Sequence, residues 1–304
     1  MEALIQHNFI SGAGDFLTDF AHYVDISHFL RNKGYNVHLR LCLDANKYIN
    51  GPFLREIFTE DTLSIFSTIK EDLNKVFKQD NYEGIPYFGS GHQPQESGHH
   101  HFDLFIEDPP SDPIIKAPYS AARSYFNHEA PKFPFKFSDR ILTAADNFNK
   151  KHPEEYCFMH VRTSDWPDPN NVRFDMLIHY ILKHIEQTGE SFHLGTNNPY
   201  VYKTLKRKKN IITYEYGSYD QVDNQMGSFR HNVHGYGHIE REVLMQRLVD
   251  TFAEMVTIQK HKKIYYAYDI GWISNFLYYP LYNAALSGTM PYVQGMRWLP
   301  RKTN

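Results

Sequence analysis

Four short clusters of residues in this sequence have side chains suited to chemistry, and the first is a glycine-rich turn. The segment 11–15 (SGAGD) lies between an apolar run and an amphipathic run. Gly12 and Gly14 allow the backbone to turn tightly beside a ligand at the start of a predicted helix. Leu17 stands where the dinucleotide pattern G-x-G-x-x-G has its third glycine, so NAD binding is disfavoured. Because a carboxylate repels phosphate, Asp15 favours a role on the acceptor side or, alternatively, a helix N-cap.

An arginine defines the second cluster, 160–165 (HVRTSD), which directly follows a predicted buried strand. Ligands of open α/β sheets bind beyond the carboxyl ends of the strands. At that position the Arg162 guanidinium can hold a diphosphate bidentately and stabilise charge on a leaving group. His160 and Asp165 flank it as further candidates for donor binding. The alternative is an ion pair between Arg162 and Asp165 within the loop.

Short polar side chains form the third cluster. Thr196, Asn197 and Asn198 follow the next predicted strand and precede a proline. Side chains of this kind either hold ribose hydroxyls or cap a helix, and capping is the commoner role at such a position.

The fourth cluster combines an acidic residue with a distal helix start. Asp250 lies on a long predicted helix, and the final predicted helix opens with Trp272, Ser274, Asn275 and Phe276. An amide and a hydroxyl at a helix N-terminus suit a phosphate group. The alternative is that Ser274 and Asn275 cap the helix while Trp272 and Phe276 belong to the core.

Parallel α/β sheets are the architecture that would position these clusters. Apolar runs of strand length alternate with amphipathic runs of helix length, which is typical of parallel sheets with crossover helices. The first half is predicted to contain strand 4–10, helix 16–32, strand 35–43, helices across 52–80, strand 101–106 and helices across 117–150. The second half is predicted to contain strand 156–161, helix 172–188, strand 191–195, helix 199–209, strand 211–216, helix 238–259, strand 263–269 and helix 272–287.

Length and composition favour two domains. The 304 residues, 41% of them hydrophobic, are ample for two packed cores. The polar stretch KKHP at 150–153 separates the two predicted series of elements. We therefore expect an N-terminal, acceptor-side domain at 1–150 and a C-terminal, donor-binding domain at 151–304, with the last helix free to pack back on the first domain.

Charge and hydropathy disfavour several classes of protein. A formal net charge of -3 argues against bulk nucleic-acid binding. The N-terminus lacks a basic and then apolar leader, and no stretch approaches the roughly 18 apolar residues of a membrane span. We therefore expect a soluble, cytoplasmic chain. Cys42 and Cys157, the two cysteines, lie in apolar runs typical of free buried thiols, although a bridge between them stays open.

The order of the second, third and fourth clusters resembles the fucosyltransferase superfamily that includes bacterial nodulation, α-1,6- and protein-O-fucosyltransferases. The resemblance rests on HxRxxD after one strand, T-[ND]-[ND] after the next and a distal D…SNF block, and it covers mainly residues 155–285. It implies the GT-B fold, an α/β fold in which two Rossmann-like domains face each other across a cleft. The GAGD turn is similar to the GxGD turn of heptosyltransferases, another GT-B group.

This resemblance implies an inverting glycosyltransferase. Its donor would be a nucleotide-diphosphate sugar carrying a fucose-like deoxysugar or a pentose, with GDP favoured and UDP as the alternative. Its acceptor would be a hydroxyl of an oligosaccharide or glycoprotein. Arg162 would contact the donor diphosphate, and Asp250 and Ser274 would serve the nucleotide.

The base of such a reaction is Asp15 by the heptosyltransferase likeness, with Asp165 and Glu240 as further candidates. The glycine-rich segment 217–240 is predicted to be a loop over the donor, although loop residues are more often simply solvated. Its candidate site residues are Arg230, His238 and Glu240.

A histidine run raises the question of a metal. Residues 99–101 (HHH), with His92 and Asp103, contain possible ligands. Adjacent residues on a strand point to opposite faces, so the run cannot easily supply three ligands to one site. GT-B enzymes generally need no catalytic metal. We therefore expect no metal and no cofactor, and activity that resists EDTA.

A non-catalytic nucleotide-sugar or glycan-binding protein on the same fold is the main alternative, since it would keep the cleft but lack a competent base. Phosphoryl transfer is disfavoured because the pattern G-x-x-x-x-G-K-[ST] is absent.

Overall fold

A computed structural model of the chain describes residues 2–9, 13–43, 53–72, 114–117, 134–161, 172–196, 198–214, 241–268 and 275–297. The chain divides into two compact units, 1–140 with 233–245 and 141–232 with 246–304. These units differ from the predicted domains in where they place 141–150 and 233–245. None of the helices in the described ranges combines the length and the apolar character that a membrane crossing requires.

The first unit contains a parallel sheet in the order β3-β2-β1-β4. Its strands are β1 (Glu2–Phe9), β2 (Asn36–Leu43), β3 (Thr68–Asp72) and β4 (Ile114–Ala117). Its helices are α1 (Ala13–Asn32), α2 (Phe53–Ile57) and α3 (Glu60–Leu63). Helix α1 connects β1 to its parallel neighbour β2, so the predicted β-α-β opening is confirmed.

Gly34 ends α1 and turns the chain into β2. Its φ of +86° lies in the left-handed region that glycine adopts without strain. The Gly34 N–H donates to the Arg31 carbonyl, and the Tyr35 N–H donates to the Leu30 carbonyl. These two bonds satisfy carbonyls that the end of the helix would otherwise leave unpaired.

A cluster of phenylalanines lies in the core of the first unit, with Phe58 at its centre. Phe20 stacks on Phe58 with ring centroids 4.1 Å apart and planes inclined by 6°. Phe135 meets Phe58 edge-on at 4.9 Å, and Phe16 lies 6.1 Å from it. Phe16 and Phe20 share one face of α1 because residues four apart on a helix are neighbours. The cluster joins α1 to the segments 53–66 and 134–138.

The second unit contains a five-stranded parallel sheet in the order β7-β6-β5-β8-β9. Its strands are β5 (Cys157–Val161), β6 (Phe192–Thr196), β7 (Ile211–Thr213), β8 (Lys263–Tyr268) and β9 (Tyr292–Arg297). The helices are α4 (Asp139–Lys151), α5 (Val172–Thr188), α6 (Pro199–Leu205), α7 (Arg241–Ile258) and α8 (Tyr278–Leu286). A 3-10 turn at Asn275–Leu277 precedes α8. The unit includes α4 from residue 141 and α7 from residue 246.

The two faces of this sheet differ in chemistry. One face is apolar: Met159, Val161 and Leu194 pack with Leu177 and Ile181 of α5. Because neighbouring residues of a strand point to opposite faces, Phe158 and His160 of β5 and His193 and Gly195 of β6 lie on the other face. There Phe158 packs with Ile258 of α7 and with Leu277.

Two predictions about elements were wrong, and two strands were not predicted. Residues 68–72 form β3, parallel to β2, although helices were predicted across 52–80. Residues 134–138 are not helical, and α4 begins only at Asp139. Strands β4 and β9 were not predicted at all. The predicted strand 101–106 and the loop 217–240 lie outside the described residues.

Replacing Phe20 by alanine tests the aromatic core of the first unit. We expect Phe20→Ala to lower the free energy of unfolding by about 3–5 kcal/mol, because it removes a fully buried ring and leaves a cavity. Urea denaturation measures the change. The control is Leu142→Ala, at a side chain that is 41% exposed, where about 0.5 kcal/mol or less is expected. Equal losses in the two variants would contradict this account of the core.

Candidate functional site

The first residues of the second and third sequence clusters, His160 and Thr196, lie close together at the carboxyl edge of the second sheet. His160 and Val161 end β5, and they pair in register with Gly195 and Thr196, which end β6. This adjacency follows from parallel pairing, because the carboxyl ends of neighbouring strands meet at one edge.

A ring stack joins the second cluster to the fourth. His160 and Phe276 have ring centroids 5.2 Å apart and planes inclined by only 3°. His160 is 8% exposed, so the stack forms in the interior. Two residues that the sequence singled out far apart in the chain are thus in direct contact. Phe276 also packs against the cluster of Phe158 and Leu277, which supports its alternative reading as a core residue.

Asn198 caps a helix. Its Oδ1 accepts from the backbone N–H groups of Tyr200 and Val201, at 2.9 and 3.1 Å. Its own N–H donates to the Thr196 hydroxyl at 3.2 Å. The third cluster therefore shows the capping role that the sequence left open, and it fixes the turn between β6 and α6.

Asp250 lies on the side of α7 that is turned away from solvent. It is 4% exposed, and its Oδ1 accepts from the Gln246 side chain at 2.8 Å. One helical turn later, Glu254 is 2% exposed. Sequence reasoning missed Glu254, although the spacing of four from Gln246 to Asp250 to Glu254 predicts a polar stripe on one helix face.

A string of hydrogen-bonding groups continues from Glu254 through the interior. Glu254 Oε1 lies 3.4 Å from His193 Nε2, and His193 Nδ1 lies 3.0 Å from His261 Nε2. His261 Nδ1 lies 2.8 Å from the Tyr156 carbonyl oxygen. The outer end of the string, at His261 and Tyr156, lines a surface hollow of about 430 Å³. His193 and His261 were not predicted as site residues, because isolated histidines carry no spacing signal.

Burial keeps the histidines of this string neutral. It lowers the pKa of His193 to about 3, with the nearby His152 lowering it further. Burial also lowers the pKa of His261 to about 3, followed by the effect of His193, while the bond to the Tyr156 carbonyl acts in the opposite direction. Burial raises the pKa of Tyr214, and the carboxyl groups of Asp250 and Glu254 raise it further. His193, Tyr214, Asp250 and Glu254 are all buried.

Gly195 makes room for this arrangement. A Cβ at that position would lie 2.5 Å from Cζ of Phe158 and 3.2 Å from Oε1 of Glu254. Separations under 3 Å are far inside van der Waals contact, so no other residue fits without displacement. The missing side chain on β6 therefore lets the Phe158 ring and the Glu254 carboxyl lie against the strand.

Several predicted site residues lie outside the described part of the chain. They are Gly12, Arg162, Asp165, Asn197, Arg230, His238, Glu240, Trp272 and Ser274, together with His92, residues 99–101 and Asp103 of the histidine-rich segment. The structure describes the backbone of Asp15 and Asn275 but not their side chains. Since α1 begins at Ala13, Asp15 lies within the first helical turn. The alternative prediction that Asp15 is the N-cap is therefore wrong. Gly14 is buried at the same turn.

Metal ligands and thiols add nothing to the site in the described ranges. No cluster of three or more metal-ligating side chains occurs among those residues. Cys157 is free and half-buried, and burial, followed by Glu190, raises the pKa of its thiol to about 11. A thiol with so high a pKa is a poor nucleophile at neutral pH.

Replacing Gly195 by alanine tests the close packing of the strand against Phe158. Gly195→Ala is expected to destabilise the protein by about 1–3 kcal/mol, as overpacking usually does. Because the clash is with the Phe158 ring, adding Phe158→Leu should recover part of this loss, measured as a coupling energy in a urea-denaturation cycle. Strictly additive effects would show that the two positions do not meet.

Replacing His261 by asparagine tests whether the buried histidines are neutral. A folded pKa below the unfolded value of about 6.5 stabilises the fold above pH 6.5, and this contribution is lost as the pH falls. His261→Asn keeps an N–H for the Tyr156 carbonyl but cannot titrate. From pH 6.5 to 4.5 the native protein should therefore lose stability more steeply than the variant, by up to about 1.4 kcal/mol per pH unit.

Urea denaturation at several pH values gives both slopes. The control is His179→Asn, at an exposed position on α5, which should leave the slope of the native protein unchanged. Parallel curves of stability against pH for the native protein and His261→Asn would contradict the conclusion that the histidines of the string are neutral.

Comparison with known proteins identifies the fold. Neither a protein-family model nor a curated protein sequence matches the chain. Among solved structures it is similar to NodZ α-1,6-fucosyltransferase co-crystallised with GDP, with 13% identity, a TM-score of 0.52, and coverage of 96% of this chain and 94% of that one. It is also similar to fucosyltransferase NodZ from Bradyrhizobium, with 14% identity, a TM-score of 0.50, and coverage of 96% and 95%. This chain, with its parallel α/β sheets, has the fold of the NodZ fucosyltransferases.

Proposed function

We propose that this protein is an inverting glycosyltransferase that moves a sugar from a nucleotide-diphosphate donor to a hydroxyl of a glycan acceptor. The donor sugar is a fucose-like deoxysugar or a pentose, and GDP is the favoured nucleotide. The protein works in the GT-B arrangement, with the donor on the second Rossmann-like half. The contact between His160 and Phe276 carries the proposal, because it joins the HxR and SNF motifs at the carboxyl edge of the sheet, where ligands of such sheets bind.

Asp250 supports guanine as the base. An ionised carboxylate only accepts hydrogen bonds, and guanine presents adjacent N–H donors on its Watson–Crick edge. Uracil presents one donor between two carbonyl oxygens, which a carboxylate repels. Asp250 also precedes Glu254 toward the N-terminal end of α7, the end from which a crossover helix enters at the carboxyl edge of a parallel sheet.

The chemistry needs a base, a stabilised leaving group and aligned substrates. Asp15, or Asp165 or Glu240 in its place, accepts the proton of the acceptor hydroxyl as its oxygen forms a bond to the anomeric carbon. The bond from that carbon to the diphosphate oxygen breaks, and the nucleoside diphosphate leaves with the electron pair. Arg162 and the helix start near Ser274 stabilise the developing negative charge. No step requires a metal or a cofactor.

Replacing Arg162 by alanine tests the proposal. Loss of a guanidinium from the leaving group should lower the transfer rate by roughly 100- to 1000-fold and weaken donor binding. Thermal shifts with GDP, UDP, dTDP and CMP sugars first identify the donor, because a bound donor raises the apparent stability. Transfer is then measured with that donor and with glycan acceptors.

The control for this experiment is Arg207→Ala, which removes an exposed arginine from the turn after α6. It should leave transfer unchanged. A folded Arg162→Ala variant with normal transfer would remove the arginine from the mechanism. Donor binding without transfer or hydrolysis in the native protein would favour the non-catalytic binding protein instead.

A further inference from the structure

The amino edge of the second sheet carries a high density of positive charge. Because its described strand pairs are all parallel, the turns that lead from a helix into a strand meet at this edge. Three of them, 150–155 (KKHPEE) before β5, 206–210 (KRKKN) before β7 and 260–263 (KHKK) before β8, form what we call the basic edge. Together with 189–191 (GES) before β6 they hold nine lysines and arginines against three glutamates, a charge of +6 in a chain of net charge -3.

Much of this charge is displayed to solvent rather than neutralised by the fold. Arg207, Lys208 and Lys209 are exposed, and none of the three forms an ion pair within the described part of the chain. Two of the three glutamates are already engaged, because Glu155 pairs with Lys262 and Glu190 pairs with Lys263. Like charges at this density repel one another, and an anionic partner would relieve that repulsion.

The next turn along the same edge exposes apolar side chains. Residues 286–292, which we call the apolar turn, link the end of α8 to the start of β9. Here Leu286 is 69% exposed, Met290 57% and Tyr292 59%. They are three of the six large hydrophobic side chains that are exposed in the described ranges. Tyr292 pairs in register with Lys263 of β8, so the apolar turn and the basic edge are direct neighbours.

Positive charge beside exposed apolar side chains fits the surface of an anionic bilayer. Lysine and arginine attract anionic headgroups, tyrosine favours the headgroup level, and leucine and methionine gain free energy at the acyl boundary. Nucleic acid matches the charge but gives the apolar turn no apolar phase to enter. Proteins that bind single strands also place aromatic rings among their cations, and the runs 206–210 and 260–263 contain none.

We propose that the basic edge and the apolar turn dock the second unit on an anionic lipid surface. The cations contact the headgroups, while Leu286, Met290 and Tyr292 enter the boundary between headgroups and acyl chains. His160 and Thr196 lie at the other end of their five-residue strands, roughly 15 Å away at about 3.3 Å per residue. Docking therefore leaves the candidate site turned away from the bilayer. This surface goes beyond the proposed function and does not depend on it.

Vesicle binding tests the charge. In co-sedimentation the native protein should bind vesicles of about 70% phosphatidylcholine and about 30% phosphatidylserine, and should not bind pure phosphatidylcholine. Arg207→Glu combined with Lys208→Glu should lower the partition coefficient by roughly 100-fold, because each cation near such a surface contributes about fivefold and reversal also adds repulsion. The control, Lys33→Glu with Lys70→Glu, changes the net charge equally at two exposed lysines of the first unit. It should bind within about twofold of the native protein, because distant exposed charges are screened.

Two outcomes of this experiment would overturn the proposal. One is native protein that stays in solution with both kinds of vesicle. The other is an equal loss in the two double variants, which would reduce the effect to net charge alone. Circular dichroism establishes that each variant is folded, as expected for substitutions at exposed side chains.

A second pair of variants tests the apolar turn. Leu286→Gln combined with Met290→Gln should lower the partition coefficient for the same anionic vesicles by about tenfold, because it removes apolar area from the membrane contact. The control, Leu142→Gln with Met176→Gln, makes the same substitutions at exposed positions of α4 and α5 and should bind like the native protein. Full vesicle binding by the first variant would overturn the part assigned to the apolar turn.

Nucleic acid is the competing partner in these measurements. The proposal is overturned if single-stranded RNA binds the native protein more tightly than the vesicles do and Arg207→Glu with Lys208→Glu abolishes that binding. None of the substituted residues belongs to the candidate site, so transfer to a soluble acceptor should be unchanged in every variant. Vesicle binding and transfer thus report on the docking surface and on the proposed function separately.

Discussion

Hydrogen bonding among the buried polar groups between α7 and the sheet is the constraint on which the second unit depends. A desolvated imidazole or carboxyl group destabilises a fold unless a partner of the right polarity meets it. His193 meets this requirement through His261, which in turn bonds the Tyr156 carbonyl just ahead of β5. The string thus joins α7, β6 and the starts of β5 and β8. It adds to the apolar contact of Phe158 with Ile258 of α7 on the same face, whereas the opposite face of the sheet meets α5 through apolar contacts.

The glycine at position 195 belongs to the same constraint. A strand in the middle of a parallel sheet usually carries bulky side chains on both faces. Here β6 has a bare position on one face, and the Phe158 ring from the neighbouring strand lies over it. Close approach of this kind accounts for a glycine that would otherwise weaken the strand. The stacked rings of His160 and Phe276 lie further toward the carboxyl edge of the sheet. Aromatic and polar side chains therefore follow one another along this face of the sheet.

Sequence patterns predicted the elements that are strongly apolar. The runs at 156–161 and 191–195 are buried strands, and the amphipathic stretch 172–188 is a helix with those bounds. Strand β3, with the sequence TIKED, is short and polar and has an exposed Thr68 and Lys70, so no apolar run marked it. Strand β9 likewise exposes Tyr292 and Gln294 at the edge of its sheet. Pairing with a neighbour, which is a tertiary interaction, makes both segments strands.

The candidate site was predictable only where motifs carry spacing. The pattern HxR…T-N-N…SNF singled out His160 and Thr196, which lie at neighbouring strand ends, and Phe276, which lies in the turn before α8 and not in the predicted helix 272–287. It gave no hint of His193 or of the contact with Glu254, because each is a single polar residue in an apolar context. In a sequence, such a residue is interpreted as an ordinary core histidine or an isolated charged residue until its partner from another element is known. Asn198 shows the converse, because a residue type that often binds ligands here caps a helix.

The uniformly parallel sheets have a consequence for how the chain folds. Every described strand pair, in both units, is parallel and closes only after a crossover, so no pair can form as a local hairpin. The chain loses the conformational entropy of long loops before strand contacts compensate for that loss, and folding is therefore slow. Partly formed sheets meanwhile expose apolar edges. Slow synthesis and low temperature should therefore favour recovery of native material over aggregation.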